Sequence, residues 1–176
     1  MGEGASRTLE YCRVCPVWIV DGEVESRDVL IGLDSSDNAL GAVDHAAFML
    51  ADTDCHVTLF HSMRHLNRFI PLEVIEEAPE LEKLWKHKAG QRIAPQMEKA
   101  KKMLLEVGLT EKQITIKVVD GSRSAAKDIL DEARNSGCGT IVLGRHGTSM
   151  VKEFFMGSVV RKVLDSCHGL AVWVVH

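Results

Sequence analysis

The sequence predicts an α/β fold: an open, doubly wound, parallel five-stranded sheet with helices on both faces. Short apolar runs alternate along the chain with longer amphipathic stretches, which is the pattern of parallel strands joined by crossover helices. The length of 176 residues and the apolar fraction of 45% suit one domain with a substantial core. Right-handed crossovers then give a Rossmann-like sheet, for which we expect the strand order 3-2-1-4-5.

Five apolar runs predict the strands of this sheet, at residues 28–34, 55–62, 114–120, 140–144 and 170–175. The first run, "DVLIGLD", ends in an acid, and the last, "LAVWVV", is apolar throughout. Near-continuous apolar runs of this length are typical of strands that are buried on both faces.

Helical spacing of apolar residues fills the intervals between the strands. The first helix follows Ser35, Ser36 or Asp37, each of which can cap it. A long polar helical region is expected over residues 72–107, with Pro95 kinking or dividing it and Gly108 ending it. Two further helices are expected over residues 124–137 and 157–167.

Charge and composition exclude several classes of protein. A net charge of −4 argues against nonspecific binding of nucleic acid, and no apolar run reaches the roughly 18 residues of a membrane span. The start of the chain lacks the pattern of a signal peptide, so the expected location is cytoplasmic. Cys12 and Cys15 form a single C-x-x-C, a weak indication of a metal or redox site, and no metal site is expected.

The stretch "GRHGTSMVKEFFMGS" holds the main functional motif, G-x2-G-x9-G-S, at Gly144, Gly147, Gly157 and Ser158. Either it is a loop with flexible ends or it folds around phosphates. It follows the fourth strand, and Asp34 ends the first strand, so both lie where doubly wound sheets bind ligands. Glycines allow close backbone approach to phosphate, and a helix start favours an anion. Neither of the commoner phosphate motifs, G-x-x-x-x-G-K-[ST] and G-x-G-x-x-G, occurs in the chain.

With this motif the chain resembles the universal stress protein family of the ATP-binding type, over residues 27–176. The resemblance rests on the complete glycine motif, on Asp34, on "LFHS" at the end of the second strand and on the closing "AVWVV". It implies a bound adenine nucleotide, ATP or else ADP or AMP, with Mg²⁺ as a further candidate that would bridge its phosphates. No dedicated cluster of acids for Mg²⁺ is evident in the sequence.

The resemblance also assigns a part of the nucleotide to each site residue. Asp34 would lie at the adenosine, and the backbone of Ser62 at the adenine. Leu143, Gly144, Arg145, His146 and Gly147 would run beside the ribose and phosphates, and Gly157, Ser158, Val159 and Val160 would begin the phosphate-binding helix. Two alternatives stay open: Asp34 only caps a helix, and Arg145 either strengthens the phosphate contact or is solvated.

The first twenty residues repeat a later part of the chain. They align without gaps on residues 156–175, with identical residues at Met1, Gly2, Leu9, Cys12, Val17, Trp18 and Val20. We interpret residues 1–22 as the last helix and edge strand of a preceding copy, and 27–176 as the complete domain of a tandem protein. Glu3 stands where Ser158 stands in the complete copy, so one nucleotide site per chain is expected.

In the family that the chain resembles, the last strand pairs with its counterpart to form a dimer. We therefore expect a homodimer through the strand from Ala171 to Val175, through the strand from Pro16 to Val20, or through both. The strand from Ala171 to Val175 could pair with the strand from Pro16 to Val20, within one chain or between two chains.

The function expected from sequence is a nucleotide-binding stress-response sensor or regulator, which acts through loop and dimer contacts. The alternatives are a dimeric stress scaffold that binds no nucleotide and a slow ATP hydrolase. No pairing of a general base with an attacking water is evident, so no catalytic residues are assigned.

Overall fold

The computed structural model describes residues 7–9, 11–12, 14–120, 124–148 and 156–176. This part of the chain forms six strands: β1 (Val17–Asp21), β2 (Val29–Gly32), β3 (Val57–Met63), β4 (Ile114–Asp120), β5 (Thr140–Gly144) and β6 (Leu170–Val175). It also forms the helices α1 (Asp37–Leu50), α2 (Leu72–Glu77), α3 (Pro79–Glu106), α4 (Ala125–Asn135) and α5 (Ser158–Leu164). The repeat residues Met1, Gly2 and Glu3 and the loop interior, 149–155, lie outside the described residues.

The strands form one sheet in the order β1-β6-β5-β2-β3-β4. Strands β2 to β6 are mutually parallel and follow the predicted order 3-2-1-4-5. β1 adds to β6 in the antiparallel direction, so the sheet is mixed and has six strands rather than five. The added strand covers an apolar edge that would otherwise be open to other chains.

The pairing of β1 with β6 uses one of the two edges that were expected to form the homodimer. β6 has β5 on one side and β1 of the same chain on the other. A homodimer through the strand from Ala171 to Val175 is therefore blocked in this arrangement. The pairing of the two repeated strands occurs within one chain.

Two apolar clusters lie on opposite faces of the sheet. Along β2, Val29 and Ile31 belong to the cluster beneath α1 and α3, whereas Leu30 belongs to the cluster beneath α4 and α5. This alternation follows from the two-residue period of a strand. Leu9, in the short helical stretch before β1, is fully buried in the second cluster.

The long helical region divides at a different proline from the expected one. α3 continues through Pro95, and the break lies at Ala78, with Pro79 opening the helix. The residue before a proline disfavours helical geometry, which places the boundary at Ala78. Pro95 stays within the helix because Ile93 and Met97 on either side of it are buried in the core.

The expected ends of the helices are mostly confirmed. Of the three candidate caps for α1, Ser36 is the one that acts, because its Oγ accepts a hydrogen bond from the backbone N–H of Ala39 at 3.2 Å. Gly108 follows α3 with a φ of +97°, a conformation that favours glycine.

Two features are absent from the described ranges of the chain. No helix there is long and apolar enough to cross a membrane. In the same residues, no three or more His, Cys, Asp or Glu side chains cluster where they could hold a metal ion.

Candidate functional site

A cleft of about 720 Å³ opens at the carboxyl ends of β2 and β5. These two neighbouring strands are the point at which the order of the parallel sheet reverses, the usual ligand position in doubly wound sheets. All the site residues expected from sequence line this cleft: Asp34, Ser62, Leu143, Gly144, Arg145, His146, Gly147, Gly157, Ser158, Val159 and Val160.

Asp34 links the two strand ends that form the cleft. Its Oδ1 accepts a hydrogen bond from the backbone N–H of Ser36 at 2.9 Å, and its Oδ2 accepts from that of Thr148 at 3.1 Å. Asp34 is therefore not the capping residue of α1, which is Ser36. Its carboxylate instead fixes the start of the glycine loop against the end of β2.

The glycines of the motif lie at close approaches within the protein itself. A Cβ at Gly144 would lie 2.7 Å from the backbone of Asn38, and one at Gly147 would lie 2.5 Å from Oδ2 of Asp34. Gly157 donates its backbone N–H to the carbonyl of Arg145 at 2.9 Å. These contacts bring both ends of the loop against α1 and β5, and at Gly144 they give a structural reason for glycine that needs no ligand.

The backbone of Ser62 points into the cleft. The carbonyls of His56 and Phe60 accept hydrogen bonds from Val29 and Leu33, on the β2 side of β3. Backbone N–H and C=O groups point to the same side of a strand at every second residue, so those of Ser62 also point to the β2 side of β3. β2 pairs with β3 only as far as Phe60, which leaves this side of Ser62 without a neighbouring strand. The side chain of Ser62 is occupied separately, since Oγ donates to Asp128.

Arg145 is not solvated, which contradicts one of the two alternatives from sequence. The residue is only 2% exposed, and Nη1 donates to the carbonyl of Cys12 at 2.9 Å. Its backbone N–H donates to the carbonyl of Val175 at 2.7 Å. Arg145 thus joins the N-terminal segment and the end of β6 to the loop that lines the cleft.

Two histidines line the cleft. Nε2 of His146 is buried and has no hydrogen-bond partner among the described residues. His61 lies with Nδ1 2.7 Å from the carbonyl oxygen of Leu33, so Nδ1–H donates and Nε2 is left as an acceptor. Burial lowers the pKa of His61, against the opposing effects of this hydrogen bond and of Asp34, and so favours the neutral ring.

One wall of the cleft comes from residues that were not among the site residues expected from sequence. Trp85 donates Nε1–H to the carbonyl of Arg64 at 2.7 Å, and its ring lies 5.2 Å from that of Phe69. Ala89 and Arg92 line the cleft one and two turns further along α3. The spacing of Trp85, Ala89 and Arg92 was the available signal, because i, i+4 and i+7 share one face of a helix.

The cleft therefore combines an apolar base with a polar rim. Leu143 and Val160 are almost fully buried and form part of the base, whereas Ser158 and Thr148 are exposed. Such a cavity suits a ligand with one flat apolar part and one polar or charged part.

Comparison with known proteins decides the family. The model of the Universal stress protein family matches residues 25–176. This chain belongs to the universal stress protein family. The matched region begins after β1 and contains every residue that the sequence assigned to the cleft.

Individual relatives agree with this assignment. Universal stress protein YxiE of Bacillus subtilis (strain 168) is 27% identical over 155 residues, which cover 82% of this chain and 97% of the relative. The solved structure of hypothetical protein MJ0577 is 26% identical with a TM-score of 0.65, covering 84% of this chain and 94% of that one. A universal stress protein solved in complex with cAMP is 22% identical, with a TM-score of 0.58 and coverage of 85% and 96%.

Proposed function

We propose that this universal stress protein binds an adenine nucleotide in the cleft and acts as a nucleotide-dependent sensor or regulator in the stress response. The observation that carries the proposal is the convergence of all eleven expected residues on one cleft at the switch point of the sheet. A structural neighbour of the same fold was solved with cAMP, which supports an adenine ligand. ATP is the form that the glycine motif favours, and ADP and AMP are the alternative ligands.

The polarity of the cleft supports one orientation of the ligand. The backbone of Ser62, with no strand beside it, suits the hydrogen-bonding edge of adenine. The unpartnered Nε2 of His146 and the exposed Ser158 lie with the glycine loop and suit the phosphates. Mg²⁺ would be held by phosphate oxygens and water, since the described residues contain no cluster of three acidic, Cys or His ligands.

A scaffold that binds no nucleotide is the second candidate, and one observation favours it. Each glycine of the motif meets a close contact within the protein, so the motif has a structural reason even without phosphate. A slow ATP hydrolase would need, beyond binding, a group that activates water.

A test of nucleotide binding uses Ser158 rather than Gly157. A Cβ at Gly157 would lie 3.0 Å from the carbonyl oxygen of Arg145, so a substitution there would also shift the backbone of the loop by a few tenths of an ångström. Ser158 is exposed and begins α5, where an acidic side chain is tolerated or favourable for the helix. Ser158→Glu therefore adds negative charge beside the phosphates, and Ser158→Gln is its neutral control of the same size.

We expect the purified protein to release about one adenine nucleotide per chain on denaturation, and ATP to bind in calorimetric titration. Ser158→Glu should bind ATP about tenfold more weakly than Ser158→Gln, because charge repulsion in a partly exposed site is worth on the order of 1 kcal/mol. Absence of released nucleotide together with no ATP binding at millimolar concentration would exclude the sensor and favour the scaffold. Turnover of ATP to ADP during the titration would point to the hydrolase.

We further propose that residues 1–22 are a partial repeat of the domain and that any strand-mediated homodimer uses the outer edge of β1. β1 ends the sheet, and its other edge pairs with no described strand. Trp18 and Val20 are exposed on it, at 44% and 61%. Sedimentation over a range of protein concentrations measures whether this edge self-associates.

A further inference from the structure

The thiols of Cys12 and Cys15 lie against each other near the N-terminus. Their sulfur atoms are 2.7 Å apart, and Cys15 is exposed to solvent. A disulfide bond is about 2.05 Å long, so bond formation needs the sulfurs to approach by only about 0.7 Å.

The two thiols are also unequal in acidity. The hydrogen bond with Cys15 lowers the pKa of Cys12, with smaller contributions from backbone groups and Arg145 in the same direction. The same hydrogen bond raises the pKa of Cys15. A thiolate is the attacking species in thiol–disulfide exchange, so Cys12 is the thiol prepared to react first.

The other cysteines provide an internal contrast. Cys55, Cys138 and Cys167 are all buried. Burial raises the pKa of Cys138 to about 11 and also raises that of Cys167. Buried thiols with raised pKa values react poorly with external disulfides.

The backbone of Cys12 is tied to the cleft. Its carbonyl oxygen lies 2.9 Å from Nη1 of Arg145 and 2.8 Å from Nε2 of His176. Arg145 in turn holds Gly157 through its own carbonyl, so a shift at Cys12 reaches both ends of the glycine loop.

We propose that Cys12 and Cys15 form a reversible dithiol–disulfide pair, oxidised by small-molecule disulfides, whose state is transmitted through Arg145 to the cleft. The dithiol–disulfide pair is inferred from the short distance between the two sulfur atoms. Its effect on ligand affinity rests on the proposed nucleotide-binding function.

The exchange proceeds in two steps. The Cys12 thiolate attacks one sulfur of a disulfide RSSR, forming a mixed disulfide with Cys12 and releasing one RS⁻. Cys15 then loses its proton to solvent, and its thiolate attacks Sγ of Cys12, releasing the second RS⁻. The protein loses two hydrogen atoms, and RSSR is reduced to two RSH.

The test treats the reduced, full-length protein with glutathione disulfide and measures intact mass. We expect the wild type to lose two hydrogen atoms without retaining glutathione, and Cys15→Ser to keep one glutathione on Cys12. Cys12→Ser should react more slowly than either, and Cys55→Ser, a buried control, should behave as wild type. A wild type that stays reduced, or that keeps glutathione as a lasting adduct, would overturn the proposal of a pair.

The transmitted effect is measured on the same two forms by titration with ATP. Oxidation should weaken ATP binding by about fivefold or more, within the usual range of coupling between sites. In Arg145→Met the two forms should bind ATP equally. Equal affinity of the wild-type forms would overturn the coupling alone. If neither form binds ATP, the proposed nucleotide binding and the coupling are both wrong. The intact-mass measurement still decides whether the disulfide forms.

Discussion

The two repeated segments of this chain, residues 1–20 and 156–175, have similar sequences but very different surroundings. Both contain a helical stretch followed by a strand, and Val20 corresponds to Val175. Val20 is 61% exposed, whereas Val175 is 4% exposed. β6 lies between two strands and beneath helices, while β1 has one neighbour at the end of the sheet. The sequence pattern therefore determines which secondary-structure element forms, and the neighbouring strands and helices determine how deeply it is buried.

The pairing of the two strands has the symmetry of a two-fold axis. Trp18 faces Trp173, its own counterpart in the repeat, and Val17 faces Val174 while Ile19 faces Val172. The two indole rings stack with centroids 4.2 Å apart and planes 8° from parallel. β1 thus occupies the position that a second copy of β6 would take, within a single chain.

The largest expected effect concerns Leu9 and its counterpart Leu164, at which the two segments are alike. Both are buried in the same cluster, with exposures of 0% and 3%. Leu9→Ala and Leu164→Ala should each lower the free energy of unfolding by about 3 kcal/mol, through lost burial and a cavity. Urea denaturation of the two variants measures this. A near-neutral Leu9→Ala would show that the N-terminal segment is not part of the core.

A second matched pair should separate the segments. Val172 is fully buried, and its counterpart Val17 is half-buried at the edge of the same cluster. Val172→Ala should cost about 2 kcal/mol, and Val17→Ala less than about 1 kcal/mol, in proportion to the apolar surface buried. Equal losses in urea denaturation would mean that β1 is covered as completely as β6, for example by another chain.

Much of the fold could be predicted because its strands are local apolar patterns. The bounds of β4, β5 and β6 are confirmed as predicted, and those of β1, β2 and β3 shift by one to two residues. The division of the long helical region was wrong because two prolines compete there. The short helix α2 has no buried residue, so nothing opposes a break at Ala78, whereas core contacts hold the helix at Pro95.

The candidate site was predictable where it follows the ends of strands and not where it depends on distant packing. Asp34, Ser62 and the glycine loop follow or end β2, β3 and β5, so topology alone brings them together. The direction of Arg145 depends on the carbonyl of Cys12, 133 residues away in sequence. No local sequence pattern predicts that contact. The same holds for Trp85, which reaches the cleft from a helix on one face of the sheet.

The smallest expected effect concerns His45, which lies at the junction of the two segments. Its Nε2 accepts a hydrogen bond from Nε1–H of Trp18 at 3.2 Å, and its ring lies edge-on to both Trp18 and Trp173. Burial lowers the pKa of His45, although Asp44 acts in the opposite direction. Protonation would remove the acceptor that Trp18 needs.

Because the pKa of His45 is lower in the folded protein than in the unfolded chain, the neutral ring contributes stability above a pH of about 6.5. That stability is lost as the pH falls below this value, where the unfolded chain binds the proton first. His45→Gln keeps an acceptor for Trp18 without titrating, so its free energy of unfolding should fall less between pH 8 and pH 5. The pKa of His61 is also lowered by burial, and its contribution is common to both proteins. The difference between the two pH profiles therefore gives the contribution of His45 to stability. Parallel profiles would show that the packing of β1 does not depend on the charge of His45.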